Sequence, residues 1–302
     1  MIDISVLMPV YNAEDYIQVA VESILNQTFT DFEFIIINDG STDGTLALLE
    51  DYAEKDDRIR LISRENKGLV ETLNEGLGLA KAPLVARMDA DDIALPNRLT
   101  EQVSYLQSNA SIICLGGYAV FIDEKGRELT LLQVPGNDDE IQQLLLQGHS
   151  SVFHPSVMYR KNIAQQVGGY RKDFYPAEDL DLWLRMGEVG QFANLEHAVI
   201  KYRFLSSSIS GRMAKQQNDA AKAATEAAWL RRGITGVFGA LGEWRANDSV
   251  ESRHLLLLKF GWWAFNYRNK KASRVYGLKA IQLQPFNKES WRLFYCSMLK
   301  NI

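Results

Sequence analysis

The chain has 302 residues, 46% hydrophobic and 24% charged, a globular balance that supports one large domain or a domain with an appendage. Its two cysteines, Cys114 and Cys296, lie far apart, which excludes a disulfide framework or a cysteine-rich zinc site and fits a reducing cytoplasm. The net charge of −5 hides an asymmetry: residues 250–302 carry ten Lys or Arg against two acidic residues, and the rest of the chain carries 23 against 36. A basic tail on an acidic body points to two jobs, or to a catalytic body with a docking surface.

The opening stretch, "MIDISVLMPVYN", has an acidic residue at once and no basic leader, so it does not read as a secretory signal. Within it "ISVLMPV" (4–10) is a buried strand by its short, β-branched character, as are "FEFIIIN" (32–38), "RIRLIS" (58–63) and "PLVARM" (83–88). Segments 14–26, 43–54 and 68–80 alternate with them and carry helical periodicity. In 14–26, Tyr16, Ile17, Ala20, Val21, Ile24 and Leu25 share one face. This alternation predicts parallel β-α-β units in a sheet covered on both sides, with ligands at the carboxyl ends of the strands. The loops at those ends are "YNAED", "DGSTDG", "RENKG" and "DADD". A helix is expected from Pro96, and residues 111–135 read as strand-rich, with turns at "GG" and "DEKG". Short helices and strands follow to about 205. From 212 the chain is helix-forming, with 253–268, 271–283 and 286–300 as further candidates. The expected division is a body of residues 1–210 and a helical region of 211–302, the boundary falling in the Ser-rich stretch at 206–212. The most apolar late segment, 255–265, is too short to span a bilayer and contains Lys259.

Three acidic groups carry the chemistry. "DGSTDGTLALLE" nearly spells a calcium-binding EF-hand loop, but a strand precedes it where that loop needs a helix. Asp39 therefore reads as a strand-end carboxylate able to accept the N3–H of a uracil-type ring, with Ser41, Thr42 or Asp43 capping the next helix. "DADD" is either a solvated acidic turn or a cage for Mg²⁺ or Mn²⁺, and its place beside three other polar strand ends favours the cage. Glu178 and Asp179 open an amphipathic helix. There they either complement the helix dipole or supply a general base for an acceptor hydroxyl. Asp181 and Arg185, one turn apart, are expected as a structural pair on the exposed side. His149 and His154 are equally open to burial or to a place beside the acceptor.

In this order "SVLMPVYN", "FEFIIINDGSTD", "NKGL", "ARMDADD" and "AEDLDLWLR" resemble the family 2 glycosyltransferases of GT-A fold, over about residues 3–205. The resemblance implies a Rossmann-like, mixed but mainly parallel sheet covered by helices, with a C-terminal helical extension. It implies an inverting transfer from a nucleotide-diphosphate sugar, with Mn²⁺ or Mg²⁺, in bacterial surface polysaccharide or glycolipid synthesis. Carried over, Pro9, Tyr11 and Glu14 line the nucleoside and Asp39 reads a uracil-type edge, which makes UDP the expected carrier. Lys67 and Arg87 stand near base, ribose or diphosphate. Asp89 contacts the ribose or sugar, and Asp91 binds the metal ahead of Asp92. Asp179 is the base, with Glu178 as substitute. One departure concerns "YRFLSSSIS": Leu205 stands where many relatives have a histidine, so diphosphate support must come from elsewhere, with Arg203 and Arg212 as candidates.

The rivals are a sugar nucleotidyltransferase and a non-catalytic polysaccharide- or calcium-binding module. The first would carry a Gly-rich basic loop after the first strand, which "PVYNAEDY" is not. The expected partners are the donor and a saccharide or lipid-linked saccharide acceptor, with no nucleic acid. For the basic tail three uses stay open: covering the acceptor site, self-association, or peripheral contact with anionic lipid at the inner face of the cell membrane. Trp262, Trp263, Phe265 and Tyr267 suit that contact, although aromatics so spaced are more often packing.

Overall fold

The structure is a computed structural model that describes residues 3–205, 213–240 and 249–299. Its first half follows the periodicity. Strands β1 (Ile4–Val10), β2 (Phe32–Asp39), β3 (Ile59–Arg64) and β4 (Leu84–Arg87) alternate with helices α1 (Ile17–Leu25), α2 (Thr45–Lys55) and α3 (Leu69–Leu79). The four strands are parallel in the order β3-β2-β1-β4. Every residue of β1, β2 and β4 is buried, as a sheet covered on both faces requires. Side chains alternate between two cores. Val6, Met8, Phe34 and Ile36 pack with Ile17, Val21 and Ile24 of α1, while Leu7, Ile35 and Ile37 pack with Val70, Leu73 and Leu77 of α3.

The remaining elements are β5 (Ile93–Ala94), α4 (Arg98–Ser108), β6 (Ile112–Ile122), β7 (Glu128–Leu132), α5 (Asp138–Leu145), β8 (Met158–Arg160), α6 (Lys161–Gln166), α7 (Glu178–Met186) and β9 (Gln191–Arg203). They extend the sheet as β4-β8-β6-β9-β5, with β7 on β6, and β8 runs antiparallel to both β4 and β6. The mixed, mainly parallel sheet implied by the resemblance is therefore present. Two local expectations fail. "GG" is no turn: Gly116 and Gly117 lie inside β6, and a Cβ at Gly117 would come within 2.9 Å of Val199. Pro96 precedes the cap Asn97 instead of opening α4, because β5 intervenes and pairs antiparallel with β9.

Helices α8 (Ala214–Arg232), α9 (Val250–Asn266), α10 (Lys270–Leu283) and α11 (Lys288–Met298) complete the described chain. Two compact units result, one of residues 3–119, 133–202 and 215–240, the other of 120–132, 203–205, 213–214 and 249–299. Helix α8, which the sequence assigned to the tail, packs in the first unit: Ala221, Ala224 and Ala228 join the core around Trp183, and Trp229 donates to the carbonyl of Leu146 at 2.9 Å. The expected boundary at 206–212 lies outside the described residues. In the second unit Trp263 stacks on Phe260 at 5.8 Å and meets Phe121 edge-on at 5.6 Å, so it is packing. No helix among the described residues is long and apolar enough to cross a membrane.

Candidate active site

Parallel pairing sets the carboxyl ends of β1 to β4 along one edge of the sheet. The strand order reverses at β1, which has β2 on one side and β4 on the other, and a crevice opens at such a point. The loops after β1 and β2 are stitched together. The Asn12 N–H donates to Ser41 Oγ at 2.9 Å, the Ala13 N–H to Thr45 Oγ1 at 2.8 Å, and the Gly44 N–H to Glu14 Oε2 at 2.9 Å. Gly44, not Ser41, Thr42 or Asp43, is the N-cap of α2 and brings no side-chain cap bond, while Asp43 just before it accepts the Thr45 N–H at 3.1 Å. Although burial opposes it, the hydroxyl and N–H of Thr45 hold the Asp43 carboxyl below its ordinary value. The Tyr11 ring is 53% exposed beyond this frame, whereas Pro9 is buried inside β1 opposite Ile37.

Asp39 ends β2 as a buried carboxylate held from three sides. It accepts the N–H groups of Lys67 at 2.8 Å and Gly68 at 2.9 Å and pairs with the Arg64 guanidinium. Gly68 sits at φ +89°, a region that disfavours side chains, and this turn aims its N–H at Asp39. Arg64 is in turn fixed by Glu75 at 2.7 Å and Thr72 at 2.9 Å. Sequence reasoning missed Arg64, because only the register of β2 on β3 sets it opposite Asp39.

The acidic loop spans the short gap between β4 and β5. Single carboxylate oxygens of Asp89, Asp91 and Asp92 lie within 4.8 Å of one another, a hard-oxygen donor set that suits Mg²⁺ or Mn²⁺. Asp89 and Asp91 are half-buried, and Asp92 is buried. Beneath them lie two buried arginines. Arg87 pairs with Asp89, and this charge holds its guanidinium above its ordinary value against the pull of burial. Arg98, which no sequence signal marked, donates to the carbonyls of Arg87 at 2.7 Å and Val157 at 3.2 Å. Burial brings it down to about 9 even though the charge of Asp92 supports it. Replacing Arg98 by Ala leaves those buried carbonyls without their donor and removes a cation near Asp92. A loss of about 3–5 kcal/mol is expected in denaturant unfolding, and a loss under 1 kcal/mol would contradict this account.

Helix α7 begins with Glu178, Asp179 and Asp181 in its first turn, where the helix dipole favours carboxylates. Glu178 is 4% exposed, and its Oε2 has no hydrogen-bond partner among the described residues. Burial, then the charge of Asp179, pushes it up to about 8. Asp179 is half-buried and accepts the Leu180 N–H at 2.8 Å, and burial raises it too. The charges of Arg87 and Asp89 reach both carboxyls, so the acidic loop and the head of α7 form one electrostatic site. Folded Glu178 keeps its proton far above its ordinary value near 4.5. The stability this contributes is complete below that value and is lost as pH rises through about 8. Glu178→Gln should therefore show a smaller drop in melting temperature than wild type between pH 6 and pH 9 by calorimetry. An equal drop would contradict the burial argument.

Asp181 and Arg185 do form a pair, at 2.5 Å, but they are buried rather than exposed: Arg185 also donates to the Gly169 carbonyl at 2.7 Å, which ties α7 to the turn after α6. His154 is buried against the Tyr170 hydroxyl at 2.9 Å. Burial and the nearby Arg87 charge hold it well below its ordinary value, hence neutral. Exposed Lys67 offers its N–H to Asp39. In the second unit the Arg203 guanidinium is buried and committed to the carbonyls of Asp123 at 3.1 Å and Glu124 at 3.2 Å, which corrects its proposed part in diphosphate support. Arg212 lies outside the described residues.

An acidic, metal-compatible loop at the end of the fourth strand of such a mixed sheet defines a GT-A-type fold. The family model "Glycosyl transferase family 2" matches residues 5–168, and the chain belongs to that family. It is 34% identical over 209 residues to the O-antigen biosynthesis glycosyltransferase WbnJ of Escherichia coli, covering 68% of this chain and 81% of that one. Among solved structures, Staphylococcus aureus TarS 1-349 in complex with UDP-GlcNAc is similar, with a TM-score of 0.54 and 16% identity over 98% of this chain and 79% of that one. The mannosyltransferase PcManGT from Pyrobaculum calidifontis in complex with GDP-Man and Mn²⁺ reaches 0.56 at 15% identity, over 97% and 83%. At such identities these two structures speak for the fold.

Proposed function

We propose that this family member is an inverting transferase that moves a sugar from a nucleotide-diphosphate sugar, with UDP as the carrier, to a hydroxyl of a saccharide or lipid-linked saccharide during polysaccharide assembly. The observation that carries the reading is the converging set Asp89, Asp91 and Asp92, together with the charges of Asp89 and Arg87 that reach Glu178 and Asp179. The name of WbnJ supports the polysaccharide setting, and the UDP-GlcNAc and GDP-Man complexes of the structural neighbours support the donor class.

The exposed Tyr11 ring stacks on the base, within a nucleoside site that Pro9 and Glu14 border. Asp39, already rigid, offers its remaining lone pair to a ring N–H that uracil has and cytosine lacks. Lys67 stands beside the phosphates, and Asp89 receives the ribose or sugar. Asp91 would hold Mn²⁺ or Mg²⁺, which when bound neutralises diphosphate charge. Asp179 takes the proton of the acceptor hydroxyl as its oxygen bonds to the anomeric carbon. The bond from that carbon to the diphosphate breaks, and its electron pair leaves with the nucleotide. A single base opposite the leaving group suffices for inversion, and no side chain stands out as a covalent nucleophile. Isothermal titration tests the reading: UDP should bind in the presence of Mn²⁺. Binding of Ca²⁺ alone, with UDP ignored, would instead favour a calcium-binding module.

A further inference from the structure

Of the tail aromatics, Trp263 is spent on packing, and Trp262 meets Phe265 edge-on at 5.6 Å. The largest group of exposed apolar side chains in the second unit stands on and just before α11, while Val250 and Leu255 of α9 and Leu278 of α10 are exposed as well. Phe286 is 99% exposed, Tyr295 65%, Trp291 53% and Met298 52%. Lys288, Trp291, Arg292, Tyr295 and Leu299 recur at steps of three and four, so they share one face of the helix, and all are exposed. Buried Ser290, Leu293 and Ser297 occupy the opposite face. The display is fixed: Asn287 caps α11 through the Glu289 N–H at 2.9 Å, and the Trp291 indole donates to the Pro285 carbonyl at 2.8 Å.

Cations frame this face. Lys288 and Arg292 lie on it. Lys270 and Arg274 of α10 donate to the last carbonyls of α11, those of Leu299 at 2.6 Å and Ser297 at 3.0 Å, beside Met298 and Leu299. We propose that the α11 face is a docking surface for an anionic lipid bilayer, with the aromatic and aliphatic side chains entering the headgroup boundary and the Lys and Arg side chains meeting the lipid phosphates. Charge selects this occupant. A second copy docking symmetrically through this face would set one strongly basic tail against another, and a nucleic acid would leave Met298 and Leu299 without an apolar phase. Indole, phenol and aliphatic groups set among Lys and Arg match the bilayer interface. The inference rests on the second unit alone and does not depend on the catalytic reading.

Sedimentation of the full chain with vesicles tests it. Binding is expected to phosphatidylglycerol-containing vesicles, weaker at high salt, and absent with pure phosphatidylcholine. Lys288→Ala with Arg292→Ala should weaken binding about 25-fold, at roughly fivefold per cation. Phe286→Ser with Trp291→Ser and Tyr295→Ser should abolish it. Brominated lipid should quench indole emission in wild type, and the quenching should fall in Trp291→Phe, a change mild enough to keep the fold. Equal binding to both vesicle types, no binding, or unchanged quenching in Trp291→Phe would overturn the proposal. So would a dimer, seen by light scattering, that Trp291→Phe or Tyr295→Ser disperses.

Discussion

Asp91→Ala is expected to lower metal-dependent donor turnover by about a thousandfold or more, the largest single effect at the site. A factor of a thousand is about 4 kcal/mol in barrier height, within reach of a divalent cation neutralising a leaving diphosphate. The three carboxylates converge within 4.8 Å on a loop whose far end, β5, pairs with β9. Asp92, buried near Arg98, serves the loop itself, and Asp89 is already paired with Arg87. Asp91, two positions on from Asp89 in the same converging set, is the carboxylate proposed for the cation. Screening a panel of nucleotide sugars for hydrolysis with Mn²⁺ or Mg²⁺ measures the effect. Titration of UDP should lose its dependence on Mn²⁺ in the same variant. Normal turnover by Asp91→Ala would remove it from the cation site.

Asp179→Asn should reduce transfer by about 10² to 10⁴, the usual worth of a positioned base, while UDP binding stays near wild type. The pH profile separates this from a structural effect. Burial raises the Asp179 carboxyl above its ordinary 3.8, and a base must be ionised to act. Wild-type kcat/KM should therefore fall with decreasing pH, beginning above the range where an exposed aspartate titrates, and the Asn variant should lack that limb. Glu178, pushed up to about 8, retains its proton near neutrality, so the charge of the pair rests on Asp179 there. Glu178→Gln should then cost far less transfer than Asp179→Asn. The reverse order would exchange the two roles.

Much of the fold was legible because its signals are local. Runs of β-branched residues bounded by turn residues marked β1 to β4, and the intervening helical stripes marked α1 to α3. The antiparallel half was harder. β5 is two residues long and β8 three, too short for any periodicity, and both exist only because β9 and β4 lie beside them. The two glycines in β6 looked like a turn, yet close approach of the neighbouring strand requires them.

The chemistry divided along the same line. The acidic residues at strand ends and at the head of α7 were visible as types at a spacing, since turn preference and the helix dipole act over a few residues. Their relations were not. Asp39 meets Arg64 across a strand register, Arg98 donates to the end of β4 eleven residues upstream and to Val157 far downstream, and Arg87 joins carboxyls about ninety residues apart. Burial gave the Asp181–Arg185 pair a structural partner in the Gly169 carbonyl that helix spacing alone could not reveal. The exposed face of α11 was missed for the opposite reason: aromatics in sequence look alike, and only packing decides which of them face water. By itself the sequence determined the alternation of strands and helices, the polar strand ends and the basic tail, all set by neighbours in the chain. Tertiary structure alone decided which charges share a low-dielectric crevice and which aromatic residues are left outside, because both depend on distance in space and on the water that folding removes.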